Sequence, residues 1–176
     1  DIMDNMLKDC KTYYGAIDIG SNAVRLLIKC VEEDEQGKVF FSKVLLLRVP
    51  LRLGFDVFAM GKISETKEKN MLRLMKVFHH LMKIYDVEDY RACATSAMRD
   101  AKNGKDIIKR IKKKTGIRIE IIDGQEEAKM IYNNHIECME DRNGNYMYVD
   151  VGGGSTEINL LSQGELVCSR SYNIGT

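Results

Sequence analysis

The most informative stretch of this chain is VDVGGGSTEI, residues 149–158. Its three consecutive glycines lie between two strand-like segments. Glycine destabilises a strand, because it loses more conformational entropy on folding and has no side chain to pack. Without Cβ atoms in the way, backbone N–H groups can converge on an anion. Ser155 and Thr156 add hydroxyl donors, while Asp150 and Glu157 add carboxylates that suit a cation. A tight hairpin with a bulge is the alternative interpretation of this stretch.

A second stretch, AIDIGSNAVRLLI at residues 16–28, follows the same pattern. In both, a strand leads to an acid, an apolar residue, a glycine, a small turn and a new strand. Taken alone, the first stretch is ordinary turn chemistry with Asp18 as a turn-stabilising acid. The two together indicate an internal repeat whose turns clamp a phosphate chain between them.

The segments around these turns predict a mixed sheet flanked by helices, because a meander of three strands is followed by alternating strands and helices. Ser64 is the expected N-cap of a long helix that ends near Tyr85, with a Met-rich apolar stripe facing the core. Gly116 is the expected end of a later helix. The predicted strands are 13–19, 23–31, 39–49, 90–95, 117–122, 146–151, 156–161 and 165–172; the predicted helices are 64–85, 99–114 and 124–139, and 50–62 is a connection.

A third stretch, IIDGQEEAKMIY at residues 121–132, joins a strand to a helix. Asp123 and Glu126 have capping-box spacing, so Glu126 is expected to reach back to a free backbone N–H. Glu127 has no such role, and from the first helical turn it can point into a neighbouring cleft. Alternatively, Glu127 is a surface acid that is stabilised by the helix dipole.

A fourth stretch, ATSAMRD at residues 94–100, places Arg99 at the expected start of a helix. An arginine in that position can fork onto a phosphate. A surface ion pair with Asp100 or Asp123 is the alternative. Arg25, on the strand after the first turn, is a lesser candidate of the same kind.

Composition excludes broad electrostatic attraction to nucleic acid or membrane, since the 176 residues carry a formal net charge of +1. The basic run Lys109–Lys114 falls late in a predicted helix, where cations complement the helix dipole. The five scattered cysteines and the absence of a signal-like start favour reduced thiols and the cytoplasm. We therefore expect no nucleic-acid partner and no membrane partner.

These four stretches, in this order, resemble the exopolyphosphatase / guanosine pentaphosphate phosphohydrolase (Ppx/GppA) family. The resemblance spans residues 13–161. It implies an α/β, ribonuclease H-like fold of the kind seen in actin-like ATPases, sugar kinases and chaperone ATPases. We expect a first actin-like domain over residues 1–140 and the opening strands of a second, truncated one over 146–176. A chain with only part of the second domain is expected to be nearly inactive.

The resemblance also implies residue roles. Glu127 matches the family's catalytic base, Asp150 and Glu157 match its other essential acids, and Arg99 matches its phosphate-contacting arginine. Four carboxylates beside a phosphate could not all ionise unaided. A divalent cation, most simply Mg²⁺, is therefore expected on Asp18, Asp150 and Glu157. The expected phosphate-binding residues are Gly20, Ser21, Asn22, Arg99, Gly152, Gly153, Gly154, Ser155 and Thr156.

The resemblance leaves several alternatives open. Phe55 follows Leu53-Gly54 where family members often carry an acid, which bears on substrate details. The substrate is polyphosphate or guanosine pentaphosphate, and a homodimer stays open. An ATP-dependent phosphotransferase of the same superfamily is one rival function, and a non-catalytic sensor of phosphorylated nucleotides is another.

Overall fold

The computed structural model describes residues 11–34, 36–127, 129–130, 143–163, 165–172 and 174–175. They form one five-stranded sheet with its helices and one three-stranded sheet. The elements of the first part are β1 Thr12–Ile19, β2 Val24–Glu33, β3 Val39–Val49, α1 Leu53–Met60, α2 Glu65–Ile84, β4 Val87–Ala94, α3 Ser96–Asp100, α4 Gly104–Thr115 and β5 Glu120–Ile121. The elements of the second part are β6 Asn145–Val151, β7 Thr156–Ser162 and β8 Glu165–Tyr172.

The five-stranded sheet has the strand order β3-β2-β1-β4-β5. β1 and β3 run antiparallel to β2, whereas β4 runs parallel to β1 and β5 parallel to β4. The sheet is therefore mixed, and the predicted α/β fold with a mixed sheet and flanking helices is confirmed. Parallel pairing brings the ends of β1 and β4 to the same edge, where Ile19 lies opposite Ala94. The residues that follow these two strands consequently meet.

The core lies between this sheet and the helices α2 and α4. Alternate residues of β1 and β2 point inward, and Ile19, Val24 and Leu26 are fully buried. The predicted apolar stripe of α2 is confirmed, because Met71, Met75 and Phe78 are fully buried against the same cluster. Each such side chain contributes about 1.5–3 kcal/mol through burial. This packing holds the edge of the sheet that carries the turn residues.

Local chemistry sets the ends of the helices as predicted. Ser64 is the N-cap of α2, and its hydroxyl accepts a hydrogen bond from the backbone N–H of Lys67 at 3.4 Å. Gly116 ends α4 in the left-handed conformation with φ 77°, which glycine adopts without a Cβ penalty.

Three boundaries were predicted wrongly. The segment 50–62 is not a simple connection, since it contains the helix α1. The helix predicted over 99–114 is two helices, α3 and α4, which are separated because Gly104 packs so closely on the carbonyl of Met98 that a Cβ would clash. The strand predicted over 117–122 pairs only at Glu120–Ile121.

The second sheet is an antiparallel meander, β6-β7-β8, close to the predicted segments. Residues 124–127 and 129–130 are helical, as predicted, and residues 131–142 lie outside the described residues. The division into domains 1–140 and 146–176 stays a prediction. Among the helices that the structure describes, none has the length and apolar content needed to cross a membrane.

Candidate active site

The two predicted turns have the same hydrogen bond. In the first, the N–H of Gly20 donates to the carbonyl of Ala23 at 3.0 Å. In the second, the N–H of Gly152 donates to the carbonyl of Ser155 at 2.8 Å. Gly20 and Gly152 therefore shape their turns, and their N–H groups are occupied within the turns.

The strands on either side of the turns repeat the same register. Asp18 lies opposite Arg25 across β1 and β2, and Asp150 lies opposite Glu157 across β6 and β7. Each acid is thus the second-last residue of its strand, at the same distance from its turn. The internal repeat read from the sequence is also a repeat of backbone geometry.

The two turns lie directly against each other. A Cβ atom on Gly154 would stand 3.0 Å from Oγ of Ser21 and 3.3 Å from Oγ of Ser96, and one on Gly153 would overlap the side chain of Asn22. The hydroxyls of Ser21 and Ser96 share a hydrogen bond of 2.8 Å. The glycines of the second turn are therefore required by the close approach of the first.

Some backbone donors at this junction have no carbonyl partner among the described residues, and Gly175 packs against the nitrogen of one of them, Gly154. In the described part of the chain, the N–H groups of Ser21, Gly153 and Gly154 donate to no carbonyl oxygen. Successive N–H groups in a turn form a concave site that favours phosphate. The position of these three groups, on two facing turns, supports the phosphate-binding prediction for Ser21, Gly153 and Gly154.

The hydroxyl residues after the second turn differ in their surroundings. Ser155 is buried, and Thr156 donates its hydroxyl hydrogen to the carbonyl of Ile174 at 2.6 Å. Gly175 packs on the backbone of Gly154 so closely that a Cβ would clash. The segment 174–175 thus forms an outer wall of the second turn.

Glu127 lies half-buried at the start of the helix that follows β5. Burial raises the pKa of its carboxyl to about 7, and the negative charges of Glu157, Asp18 and Asp150 add to the rise. Arg99 opposes it. Oε2 of Glu127 is buried and has no hydrogen-bond partner among the described residues. A carboxyl with these properties is suited to take up a proton near neutral pH.

The other three acids surround Glu127 on the ends of β1, β6 and β7. Burial raises the pKa of Asp18, an effect that Arg25 at 3.3 Å opposes and Asp150 reinforces. Glu157 is only 2% exposed and accepts a hydrogen bond from Oγ of Ser171 at 2.9 Å. The predicted acids from both halves of the repeat therefore share one electrostatic environment.

Arg99 lies in the last turn of α3 rather than at the start of a long helix, so its predicted position is wrong. Its Nη1 donates to the carbonyl of Ile122 at 3.1 Å, which ties it to the segment before Glu127. Nε lies 3.7 Å from Asp100, one of the two surface partners considered from the sequence. The guanidinium is close enough to Glu127 to lower the pKa of that carboxyl.

The capping box at residues 123–126 is only half formed. The carboxylate of Asp123 accepts from the N–H of Glu126 at 2.8 Å, as expected. The side chain of Glu126 does not reach back; it accepts instead from Nη2 of Arg91 at 2.7 Å. Glu126 forms the ion pair with Arg91 of β4 instead of the capping-box hydrogen bond, because a charged donor makes a stronger hydrogen bond than a backbone N–H.

A cavity of about 1160 Å³ opens beside the two turns. Its walls include Ser21, Asn22, Ser96, Gly153 and Gly154, but not Glu127 or Asp18. The cavity and the acids thus flank the turns on different sides.

The acids do not form a ready-made metal centre. Across the described ranges, no three His, Cys, Asp or Glu side chains cluster closely enough to hold an ion. Mg²⁺, however, usually takes one or two carboxylates and completes its octahedron with phosphate oxygens and waters. Burial and the negative charge of Glu157 raise the pKa of Glu127, and Oε2 of that residue is buried without a hydrogen-bond partner among the described residues. This donor set fits a cation that binds together with a phosphate.

Sequence reasoning missed several residues that shape the site. Gly54 is one, since a Cβ there would stand 2.8 Å from Cβ of Ser21. Gly175 is another, and Ser96 was quoted without a role. Their importance comes from contacts across 21 residues or more of sequence, and no local pattern signals it.

Residues 30–176 match the sequence profile of the Ppx/GppA phosphatase family. The chain is 32% identical over 164 residues to the bifunctional 3-dehydroquinate synthase/phosphatase of Fusobacterium nucleatum, covering 92% of this chain and 25% of that protein. It is 28% identical over 144 residues to exopolyphosphatase 1 of Mycobacterium tuberculosis, covering 82% and 41%.

Solved structures give the same result. A Ppx/GppA family member from Aquifex aeolicus superposes with a TM-score of 0.78 at 30% identity, over 94% of this chain and 52% of that one. An exopolyphosphatase from Cytophaga hutchinsonii superposes with a TM-score of 0.83 at 28% identity, over 93% and 51%. This chain therefore spans between a quarter and about half the length of the proteins that it resembles.

Proposed function

Because this chain belongs to the Ppx/GppA phosphatase family, we propose that the protein hydrolyses the terminal phosphate of inorganic polyphosphate or of guanosine pentaphosphate. One observation carries the proposal. Glu127, with a pKa raised to about 7, shares its surroundings with the acids that precede two facing, glycine-containing turns. A phosphate seat next to a poised base is the arrangement that phosphate hydrolysis needs.

The terminal phosphoryl group is bound against the junction where the two turns meet. The N–H groups of Ser21, Gly153 and Gly154 donate to its oxygens, and the hydroxyl of Ser21 adds a further donor. Fixed backbone donors need no reorganisation as charge develops in the transition state. Removing one such donor from a preorganised site typically slows the reaction by about 10²–10³-fold.

Glu127 orients a water molecule and removes its proton as the water oxygen attacks the terminal phosphorus. The new P–O bond forms opposite the bridging P–O bond, which breaks and leaves the shortened chain with the bridging oxygen. The products are inorganic phosphate and a chain with one phosphate fewer, and the proton passes from Glu127 to solvent. Positioning and electrostatics supply most of the catalysis in such reactions.

One or two of the acids Asp18, Asp150 and Glu157 would hold a divalent cation such as Mg²⁺, with phosphate oxygens of the substrate and waters as its other ligands. When bound, the cation neutralises negative charge on the phosphate chain. Arg99, tied to the carbonyl of Ile122, places positive charge next to Glu127. We propose that it also contacts a phosphate oxygen, as the resemblance implies.

The cytoplasm is the proposed location. The described cysteines Cys30, Cys93 and Cys168 are free thiols, and a reducing compartment keeps thiols in that state.

Both proposed substrates, polyphosphate and guanosine pentaphosphate, are polyanions that a cation must accompany.

The test is phosphate release by the intact protein from polyphosphate and from guanosine pentaphosphate, with and without Mg²⁺, in ¹⁸O-labelled water. Hydrolysis places one ¹⁸O atom in each released phosphate and requires Mg²⁺. Transfer of phosphate from ATP to an acceptor, without ¹⁸O uptake, would establish a phosphotransferase instead. Binding of either polyanion without any turnover would establish a sensor.

A further inference from the structure

Two buried side chains carry polar atoms that have no hydrogen-bond partner among the described residues. The atoms are Oε2 of Glu127 and both polar atoms of Asn159, Nδ2 and Oδ1. Asn159 is only 2% exposed. A buried amide without partners lowers stability, and native structures satisfy about 90% of such groups. The proposed hydrolysis uses Glu127, whereas it gives no role to the amide of Asn159.

The position of Asn159 on β7 places it beside the acids. Side chains two residues apart on a strand point to the same face, at a spacing of about 7 Å. Asn159 therefore shares a face with Glu157 and lies one step further from the second turn. Both side chains are 2% exposed, whereas Leu160, on the opposite face, is 43% exposed.

The start of the helix that carries Glu127 packs on this same face. A Cβ atom on Gly124 would stand 3.5 Å from Cβ of Ser171, which lies opposite Glu157 on β8. The hydroxyl of Ser171 donates to Glu157 at 2.9 Å. Burial raises the pKa of Glu127, and Glu157 is the charge that adds most to the rise. The unpartnered atoms of Glu127 and Asn159 thus both belong to neighbours of Glu157.

Two of these unpartnered atoms, Oδ1 of Asn159 and Oε2 of Glu127, are hydrogen-bond acceptors. Mg²⁺ binds one or two carboxylates and keeps several waters. A water bound to a cation turns its oxygen to the ion and both hydrogens outward, so it needs acceptors. The two buried acceptors beside Glu157 therefore suit waters that a cation holds. The donor Nδ2 of Asn159 suits a further water.

We propose that Asn159 is a positioning residue for the divalent cation, in which Oδ1 accepts hydrogen bonds from waters of a cation bound to Glu157. The inference rests on the proposed function in taking Glu157 as a ligand of that cation. Asn159 lies one residue beyond the stretch 149–158, in the interior of a strand. An apolar side chain of the same size would pack at this buried position without leaving an amide unpartnered, so packing does not account for the asparagine.

The test measures cation binding and stability in the intact protein carrying Asn159→Leu, a side chain of similar size without polar atoms. Mn²⁺ takes the same oxygen ligands as Mg²⁺, and electron paramagnetic resonance follows free Mn²⁺ in the presence of inorganic phosphate. Asn159→Leu should weaken Mn²⁺ binding by about 10- to 100-fold, the range for groups that hydrogen-bond to the ligands of a metal. In EDTA, without any metal ion, it should raise the urea midpoint of unfolding, because an unpartnered amide is removed.

Asn103→Leu is the matched control, because both polar atoms of Asn103 have partners. Its Oδ1 accepts from the N–H of Ile63 at 3.0 Å, and its Nδ2 donates to the carbonyl of Ile63 at 2.8 Å. This substitution should lower the urea midpoint and leave Mn²⁺ binding unchanged. Asn159→Asp keeps an acceptor oxygen at the site, so it should retain the Mn²⁺ affinity that Asn159→Leu loses.

Three results overturn the role of Asn159. The first is wild-type Mn²⁺ affinity in Asn159→Leu, and the second is equal loss of affinity in Asn159→Asp and Asn159→Leu. The third is a lower urea midpoint for Asn159→Leu in EDTA, which would show that the amide is hydrogen-bonded within the fold.

Glu157→Gln separates this inference from the proposed cation site. If Glu157→Gln binds Mn²⁺ as tightly as the wild type, Glu157 does not hold the cation, and that part of the proposed function fails together with the role of Asn159. If Glu157→Gln weakens binding and Asn159→Leu does not, the cation site stands and only the role of Asn159 fails.

Discussion

Replacing Glu127 by glutamine should stabilise the fold, and the gain should depend on pH. In the unfolded chain this carboxyl titrates near its ordinary pKa of 4.5, whereas in the folded protein burial and the neighbouring acids raise the pKa to about 7. Below pH 4.5 the carboxyl is protonated in both the folded and the unfolded state, so it does not lower the free energy of unfolding. Between these values only the folded state keeps the proton, so the free energy of unfolding falls as the pH rises.

The size of the effect follows from the pKa. A change from 4.5 to about 7 corresponds to about 3 kcal/mol at full strength. Because Glu127 is only half-buried, solvent screening reduces this to about 1–2 kcal/mol at pH 8. Glutamine has the same shape and no charge, so Glu127→Gln should recover that amount at pH 8 and little of it at pH 5.

Urea denaturation followed by circular dichroism at pH 5 and pH 8 measures this difference. Glu126→Gln is the matched control, since it removes the neighbouring carboxylate, whose ion pair with Arg91 is exposed. The control should change stability by less than about 1 kcal/mol at either pH. A Glu127→Gln protein that is no more stable than the wild type at pH 8, or whose gain is the same at pH 5, refutes the electrostatic account of this site.

Three other predictions concern single contacts. Arg99→Ala removes the positive charge that lowers the pKa of Glu127, so the acid limb of the pH–rate profile should move to higher pH. If the acid limb does not move, Arg99 does not influence the titration of the catalytic base. Gly154→Ala places a Cβ 3.0 Å from Oγ of Ser21 and should raise the KM for tripolyphosphate about tenfold or more, as steady-state kinetics will show. Ser64→Ala removes the N-cap of α2 and should lower the free energy of unfolding by about 1 kcal/mol in urea, with unchanged KM.

Much of the fold could be predicted because its signals are local. Ser64 and Gly116 mark helix ends through hydrogen bonds and a backbone conformation that involve only nearby residues. The repeat of an acid, an apolar residue and a glycine predicted two turns of the same kind, and the hydrogen bonds of Gly20 and Gly152 confirm that likeness.

The errors lie where distant contacts override local preference. α1 begins after Arg52 in a left-handed conformation without a side-chain cap, so no N-cap signal marks it. The break between α3 and α4 brings Gly104, the first residue of α4, against the carbonyl of Met98 in α3. A Cβ atom at position 104 would have no room there. Glu126 fits a capping box by spacing, but Arg91 lies 35 residues away in sequence and takes its carboxylate.

The candidate site divides in the same way. Chemical type and turn context singled out Glu127, Asp150 and Glu157, since acids at strand ends and helix starts are visible in sequence. The contact of the segment before α1 with the first turn could not be predicted, because it depends on hydrogen bonds from Arg52 to Asn22 and from Gly54 to Ser21, about 30 residues apart in sequence.

Phosphate release from polyphosphate by the intact protein with Mg²⁺, compared among wild type, Glu127→Gln and Glu126→Gln, tests the role of the base most directly. We expect Glu127→Gln to lower kcat by about 10²–10⁴-fold, because a general base typically contributes that much. Glu126→Gln should keep kcat within about fivefold of the wild type, because loss of an exposed ion pair is worth at most about 1 kcal/mol. Equal activity of the two variants would contradict the assignment of Glu127 as the residue that activates water.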